Sequence, residues 1–222
     1  MSGGTVGVLN YGAGNLGSVM NALARLGAEA RFVRGPEELS GGTYGKLLFP
    51  GDGHFGTTME SLEKSGYAEA IRGWIRADRP FLGICIGLQV LFEASEEAPG
   101  GDASGIHASG IHASTSGPVR GLSVIPGRVK RFPGRKVPQI GWNETEAKPG
   151  ALLFRGLPAK AFFYYIHSYY VDPGVEGLIA AEAEYYLRYC SAVEQGNLAA
   201  VQFHPEKSGA VGLKLLENWL KR

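Results

Sequence analysis

Short apolar runs alternate with stretches of helical periodicity along the first ninety residues. Candidate strands lie at residues 6–10, 46–49 and 81–84, of which 81–84 reads as a buried strand, and residues 30–34 could be a further strand although they include two arginines. Apolar positions recur at helical spacing around residues 16–26 and 67–77. Gly27 follows the first of these as a C-cap, and Thr57 or Thr58 can cap a further helix that reaches Lys64. This alternation predicts an α/β fold with a mostly parallel central sheet and flanking helices.

The pattern changes in the second half of the chain, where short β-like runs replace the helical periodicity. They lie at residues 124–125, 127–130, 137–142, 162–171, 177–181 and 198–203. Such hairpin-prone strands predict an antiparallel β extension of the parallel sheet. The closing residues, with Leu213, Leu216, Trp219 and Leu220 on one face, predict an amphipathic helix.

Small and polar residues separate the two halves. A five-residue tandem repeat there carries His107 and His112, and the composition predicts a flexible inserted loop at about 99–118. No cysteine or carboxylate accompanies these two histidines, and a metal site would need such further ligands. A duplication within a surface loop is therefore the favoured interpretation, and no metal is predicted. With 222 residues, the chain is expected to form a single domain, 1–222.

Composition and charge are those of an ordinary globular protein. The chain is 44% hydrophobic and 19% charged with a formal net charge of +1, which gives no reason to expect nucleic acid or an anionic membrane as a partner. No apolar run is long enough to span a bilayer. Two cysteines and an N-terminus without signal-peptide features predict a cytoplasmic protein without disulfides.

Cys85 lies where the apolar run 81–84 meets helical spacing at Leu88, Leu91 and Phe92. Gly83 and Gly87 flank it, and Gly-x-Cys-x-Gly at a strand-to-helix turn is typical of a nucleophile held on a strained elbow. The following helix would direct its N-terminal amides and positive dipole end at the sulfur, which favours a reactive thiolate. The alternative is a buried cysteine that acts only as a small hydrophobic residue.

Two glycine-rich loops permit other interpretations. Residues 12–17 match G-x-G-x-x-G after a strand, with arginines near the second strand, and this pattern is compatible with an NADP-binding Rossmann protein or with a plain tight turn. The loop at Gly51, Asp52 and Gly53 can present backbone amides to an oxyanion, or it can be an ordinary strand-to-helix turn.

His204 and Glu206 follow the apolar run near the C-terminus. Pro205 restricts His204 to an extended conformation, so that the two side chains can lie on the same side of the chain. Glu206 could then hold the imidazole in one tautomer while the other ring nitrogen serves a nucleophile. Together with Cys85, the pair predicts a triad for covalent acyl transfer through a thioester.

Residues 82–89 and 203–206 resemble the two hallmark motifs of class I, triad-type glutamine amidotransferases. Within that group, residues 10–15, 50–56, 140–143, 167–170 and 204–208 resemble the glutaminase subunits of imidazole glycerol phosphate synthase, in matching order along nearly the whole chain. The resemblance implies a flavodoxin-like fold and hydrolysis of L-glutamine to glutamate and ammonia. It implies no metal or organic cofactor.

The resemblance also assigns roles to single residues. The amide of Ile86 and the loop at Gly51, Asp52 and Gly53 would form the oxyanion hole, and the glutamine would be held by Gln89, Ser168 and Tyr169. A (βα)8-barrel cyclase would form a heterodimer with the chain, receive the ammonia, and contact Asn15, Trp142 and Lys207.

Two alternatives and three departures from the family pattern remain open at this point. The chain could instead be the NADP-binding protein described above or a subunit that binds a partner without catalysis. Asp52 replaces an apolar residue, Gln139 replaces a histidine, and the segment around 101–116 looks inserted. From its polar and glycine neighbours, Trp142 could be either an interface anchor or a core residue.

Overall fold

The computed structural model of the chain describes residues 4–11, 16–97 and 117–222. The tandem repeat, most of the predicted loop at 99–118, and Asn15 with three of the glycine-loop residues at 12–14 lie outside the described residues.

Thirteen strands and five α-helices make up the described fold. The strands are β1 Val6–Leu9, β2 Ala30–Val33, β3 Lys46–Phe49, β4 Phe81–Ile84, β5 Phe92–Ser95, β6 Val119–Arg120, β7 Ile125–Arg131, β8 Gln139–Ala147, β9 Lys160–His167, β10 Tyr169–Pro173, β11 Ile179–Tyr185, β12 Leu187–Gln195 and β13 Leu198–Val201. The helices are α1 Leu16–Arg25, α2 Phe55–Ser65, α3 Tyr67–Arg76, α4 Ile86–Gln89 and α5 Gly209–Leu220.

Five neighbouring strands form the parallel part of the sheet, in the order β2, β1, β3, β4, β13. Strand β1 buries both of its faces: Val6 and Val8 pack into one core cluster, whereas Leu9 packs into the other. Strands β3, β4 and β13 are also buried along their whole length, whereas β2 at the edge of the sheet is partly exposed. Continuous apolar runs of this kind are expected in parallel strands covered on both sides by helices. Helices α2 and α3 cover one face, and α1 and α5 cover the other.

The remaining strands extend this sheet in mostly antiparallel fashion. β12 pairs with β13, β10 and β11, and β8 joins β11 to β9. The predicted fold class, a mostly parallel sheet with flanking helices and an antiparallel extension, is therefore confirmed. The end of α1 near Gly27, whose φ is 71°, is confirmed as well.

Three local predictions are wrong. Helix α2 begins at Phe55 rather than after a threonine cap, because the carboxylate of Glu97 accepts a hydrogen bond from the Phe55 amide at 2.8 Å. The helix after Cys85 is only the four residues Ile86–Gln89, since Phe92 begins β5 and pairs in parallel with β7. The run at 162–171 is interrupted at Ser168, between β9 and β10.

Strand β12 has no counterpart among the predicted runs. Its burial does not alternate, because five successive residues from Tyr189 to Val193 are buried and Ser191 lies among them. A continuous mixture of polar and apolar residues matches neither the helical nor the strand period. No helix in the described residues is both long and apolar enough to cross a membrane.

Candidate active site

Three chain segments meet at the carboxyl edge of the parallel strands. Cys85 directly follows β4, Gly51 to Gly53 follow its neighbour β3, and His204 follows its other neighbour β13. Because the carboxyl ends of parallel strands lie at one edge, these segments come together in the usual ligand-binding position of an open α/β sheet. A cavity of about 350 Å³ at this edge is lined by Cys85, Asp52 and Gly53 among others, and sites for small molecules commonly have volumes of roughly 300–1,000 Å³.

Cys85 is held in a strained backbone conformation. Its φ is 54° and its ψ is −106°, and only 6% of the residue is exposed. Non-glycine residues rarely adopt positive φ, and such strain is concentrated at functional sites. A Cβ atom on Gly87 would lie 2.2 Å from the carbonyl oxygen of Phe49, and one on Gly83 would lie 2.3 Å from that of Gly87. The predicted strained elbow is therefore confirmed, and its glycines are required by close backbone packing.

The helix dipole contributes less to the elbow than the sequence predicts. Helix α4 has four residues, about one turn, so few peptide dipoles are aligned with the sulfur. Side-chain and backbone groups surround the sulfur instead. Gln202 Nε2 lies 3.6 Å from Cys85 Sγ in donor geometry, and the carbonyl oxygen of Ile166 lies 3.9 Å away as an acceptor.

His204 and Glu206 form a buried pair. His204 Nδ1 donates to Glu206 Oε1 at 2.8 Å, and the two side chains are only 3% and 2% exposed. His204 is extended, with φ −101° and ψ 94°, as expected before proline. Burial by itself lowers the pKa of His204, but the interactions with Cys85 and Glu206 outweigh it and raise that pKa to about 10. The arrangement thus favours an imidazolium beside a cysteine sulfur.

The predicted oxyanion loop packs tightly against the elbow. A Cβ atom on Gly51 would lie 2.0 Å from Ile86 Cγ2 and 2.2 Å from the hydroxyl of Tyr11. Asp52 is exposed and lines the cavity together with Gly53, whereas Ile86 is buried. The structure therefore places Gly51 against Ile86, the residue after Cys85, and Asp52 and Gly53 in the wall of the cavity that Cys85 also lines.

Tyr11 is a residue of the site that the sequence reasoning missed. Its hydroxyl is buried. Burial is the main cause that raises the pKa of Tyr11 well above the usual range, and the nearby charges of Cys85 and Asp52 raise it further. Its ring meets that of Phe49 edge-on, with 5.1 Å between centroids. Two signals in the sequence point to it: the family motif at residues 10–15, which includes Tyr11, and its position two residues beyond the end of β1 at the same sheet edge.

The three residues predicted to hold the substrate all line the cavity: Gln89, Ser168 and Tyr169. Gln89 Nε2 donates to the backbone oxygen of Tyr169 and to Gln202 Oε1, each at 3.1 Å. Both amide hydrogens of Gln89 are thus engaged within the protein, and its Oε1 remains as the hydrogen-bonding atom for a ligand.

Glu97 is a further carboxylate in the wall of the cavity, and the sequence reasoning missed it as well. Glu97 Oε1 is 3.0 Å from His54 Nδ1, and both residues line the cavity wall. Burial raises the pKa of Glu97, against the effect of its hydrogen bond from the Phe55 amide and of the nearby His54. Helix α4, a turn and strand β5 separate Glu97 from Cys85, so no local motif points to it.

Two of the three predicted interface residues, Trp142 and Lys207, lie among the described residues. Trp142 is 58% exposed, which excludes the core alternative, and its neighbour on β8, Ile140, is 60% exposed. Lys207 lines the cavity, and its Nζ lies 5.9 Å from the centre of the Tyr164 ring. Asn15 and most of the G-x-G-x-x-G loop lie outside the described residues, and the NADP-binding alternative stays an untested prediction.

Comparison with known proteins identifies a single family over the chain. The model of the family "Glutamine amidotransferase class-I" matches residues 7–222. The chain is 41% identical over 219 residues to imidazole glycerol phosphate synthase subunit HisH of Synechococcus sp. (strain JA-3-3Ab), covering 96% of this chain and 92% of that protein. The HisH subunit of Deinococcus radiodurans is 43% identical over 215 residues, covering 96% and 91%.

Solved structures share the fold at lower sequence identity. A chain in the structure of PurLQS from Thermotoga maritima superimposes with a TM-score of 0.73 at 16% identity, covering 99% of this chain and 98% of that one. At this identity the likeness concerns the fold alone.

Proposed function

Because the chain belongs to the class-I glutamine amidotransferase family, we propose that it hydrolyses L-glutamine to glutamate and ammonia through a thioester on Cys85. The observation that carries the proposal is the convergence of a strained cysteine and a buried His204–Glu206 pair at one sheet edge. A nucleophile, a base and a group that orients the base are the parts that covalent acyl transfer requires.

In the proposed reaction, His204 holds the proton of the Cys85 thiol and the thiolate attacks the carboxamide carbon of glutamine. Glu206 accepts from Nδ1, which leaves Nε2 to exchange the proton. The negative charge that develops on the amide oxygen would be stabilised by backbone amides of Ile86 and of the loop at Gly51, Asp52 and Gly53. His204 then returns the proton to the departing ammonia, and water cleaves the γ-glutamyl thioester.

The cavity supports glutamine as the substrate. Its lining includes the Gln89 carbonyl oxygen, Ser168 and Tyr169, which can hydrogen-bond to a ligand, and the side chain of Glu97. Glutamine carries a side-chain amide, an ammonium and a carboxylate, and each of them can hydrogen-bond to polar groups of this kind. His167 also lines the cavity. Burial lowers the pKa of His167 to about 4, so this histidine is neutral at neutral pH and adds no positive charge to the cavity.

We further propose that the chain is the glutaminase subunit of an imidazole glycerol phosphate synthase and transfers ammonia to a (βα)8-barrel cyclase partner. HisH is the name of the relatives at 41% and 43% identity. A ladder of apolar side chains on β8 and β9 is a candidate docking surface for this partner. In it Ile140 pairs with Ile166 and Trp142 pairs with Tyr164, and Ile140, Trp142 and Ile166 are exposed. Ile140 and Ile166 also line the cavity, so a protein docked on the ladder would adjoin the site of ammonia release.

The proposal is tested by purifying the chain with a candidate barrel cyclase and measuring glutamate and ammonia released from glutamine, with the wild type compared with Cys85→Ala. We expect turnover with the wild type and none with the variant, while both bind the cyclase. Partner binding without ammonia from the wild type would instead identify a non-catalytic subunit. Turnover by Cys85→Ala would overturn the thioester mechanism.

A further inference from the structure

We propose that Gln202 is an additional catalytic residue, whose side-chain amide donates a hydrogen bond to the sulfur of Cys85 and stabilises the thiolate. A catalytic role for Gln202 rests on the proposed function, whereas its contact with Cys85 does not depend on a substrate. Gln202 Nε2 lies 3.6 Å from Cys85 Sγ, within the range of hydrogen bonds to sulfur, and the residue is fully buried.

The orientation of the Gln202 amide is set by a chain of hydrogen bonds that begins at a backbone carbonyl. The oxygen of Tyr169 can only accept, so the atom of Gln89 that lies 3.1 Å from it must be the amide nitrogen. The second hydrogen of the same nitrogen points to Gln202 at 3.1 Å, where it requires an oxygen. The Gln202 oxygen therefore faces Gln89, and its nitrogen faces the sulfur. In the reverse orientation, two NH₂ groups would oppose each other.

The backbone of Gln202 is held as firmly as its side chain. Its amide donates to the carbonyl oxygen of Ser191 at 2.8 Å, and its neighbour Val201 accepts from the amide of Cys85 at 2.8 Å. The side-chain donor is thus positioned by the same strand end that positions the nucleophile. A donor fixed in a buried site needs little reorganisation when negative charge appears on the sulfur.

The donor has a direct competitor. The carbonyl oxygen of Ile166, 3.9 Å from the sulfur, can accept the thiol proton and so favours the neutral form. A hydrogen bond from Gln202 favours the charged form, because a thiolate is a stronger hydrogen-bond acceptor than a neutral thiol. Gln202 and His204 therefore act in the same direction on the sulfur and against Ile166.

The experiment is the pH dependence of Cys85 alkylation by iodoacetamide, followed by peptide mass spectrometry so that Cys190 is scored separately. We expect the rate profile of Gln202→Met, which keeps the length of the side chain and removes the donor, to move by about one pH unit to higher pH. Alkylation would be about tenfold slower at neutral pH and would converge on the wild-type rate at high pH.

Gln139→Met is the matched control. Gln139 is also buried, but it hydrogen-bonds to Tyr189 instead of the sulfur, so the alkylation profile of this variant should superimpose on that of the wild type.

A folded Gln202→Met variant with the wild-type alkylation profile would overturn the inference, as would an equal displacement in Gln139→Met. If Gln202→Met fails to fold, Gln89→Met tests the same chain of hydrogen bonds from its other end: the freed Gln202 amide should give a displacement in the same direction, and a wild-type profile would contradict us. Alkylation needs neither glutamine nor a partner. Failure of glutamine hydrolysis in the wild type would thus contradict the proposed function while leaving this result readable.

Discussion

His204 holds its proton through two partners of different kinds. Glu206 forms a 2.8 Å hydrogen bond with Nδ1, and the Cys85 sulfur is the second group that raises the pKa of the imidazole. Burial opposes both effects, so the imidazolium depends on keeping its partners. In a triad the orienting carboxylate sets the tautomer of the base as well as its charge.

Replacing Glu206 with glutamine should therefore reduce catalysis more than it reduces folding. An amide can present its NH₂ to Nδ1 and favour the wrong tautomer, and we expect kcat for glutamine hydrolysis to fall by roughly 10²- to 10⁴-fold. The measurement is glutamate release with the partner present. Glu217→Gln is the control, because Glu217 lies on α5 and pairs only with Lys214 and Lys221 in the described structure. Equal rates in wild type and Glu206→Gln would contradict the assigned role.

The raised pKa of His204 also predicts a pH dependence of stability. The folded protein binds this proton more tightly than the unfolded chain, whose histidine has a pKa of 6.5. Its stabilising contribution is therefore complete below pH 6.5 and is lost as the pH rises toward about 10. The difference in the free energy of unfolding between wild type and Glu206→Gln should be largest near pH 6 and shrink with rising pH in urea titrations. A difference that does not change with pH would be evidence against the pair.

Sequence reasoning was strongest for residues whose partners are close along the chain. Cys85 lies between flanking glycines, and His204 lies two residues before Glu206, so local spacing was enough to bring them into a hypothesis. Gln202 was not assigned a role, because its contact with Cys85 spans 117 residues. Glu97 likewise acts on the start of α2 across 42 residues. Such contacts depend on strand order, which no local pattern specifies.

At the scale of the elements, close packing between neighbouring segments explains the glycines around the elbow. The loop after β3 approaches α4 so closely at Gly51 that any side chain would overlap Ile86 and Tyr11. Overpacking of a dense interior displaces its neighbours, because there is no void to receive the added atoms.

Gly51→Ala should therefore destabilise the fold by about 1–3 kcal/mol and lower glutamine turnover. Gly73→Ala is the matched substitution: Gly73 lies within α3, an added Cβ would meet nothing within 4 Å, and alanine favours the helix. We expect that variant to be more stable by about 0.5–1 kcal/mol with unchanged activity. Urea unfolding measures the change in the free energy of unfolding, which should be negative for Gly51→Ala and positive for Gly73→Ala. An unchanged free energy of unfolding in Gly51→Ala would be inconsistent with the packing described.

The elements that sequence predicted well are those with one environment along their length. Strands β3 and β4 are buried throughout, and their predicted bounds match the structure. The helix predicted after Cys85 was too long because Phe92 leaves it to pair with β7, and β12 was missed because Ser191 is buried within it. Tertiary pairing overrides local periodicity at such positions.

At the scale of the whole molecule, one apolar surface adjoins the cavity. Trp142, Ile140 and Phe162 are each more than half exposed on β8 and β9, and all three lie on the outward side of this hairpin. Large aromatic residues supply much of the binding energy at the centres of interfaces. Because this surface lies beside Cys85, a partner bound to it would be close to the site of glutamine hydrolysis.

Trp142→Ala should weaken binding of the cyclase partner by about 10- to 100-fold without lowering the thermal stability of the free chain, because the side chain is already exposed there. Titration calorimetry gives the affinity. Phe32→Ala is the control, since Phe32 is 40% exposed on β2 at the opposite edge of the sheet. An equal loss of affinity in both variants, or none in Trp142→Ala, would argue against this docking surface.

The most direct test of the proposed mechanism is to trap the thioester. With glutamine, the partner and hydroxylamine present, a γ-glutamyl group on Cys85 is transferred to hydroxylamine in competition with water. We predict γ-glutamyl hydroxamate from the wild type at the expense of glutamate, and neither product from Cys85→Ala. Equal hydroxamate formation by Cys85→Ala, or glutamine hydrolysis by the wild type without any hydroxamate at saturating hydroxylamine, would contradict a thioester on Cys85.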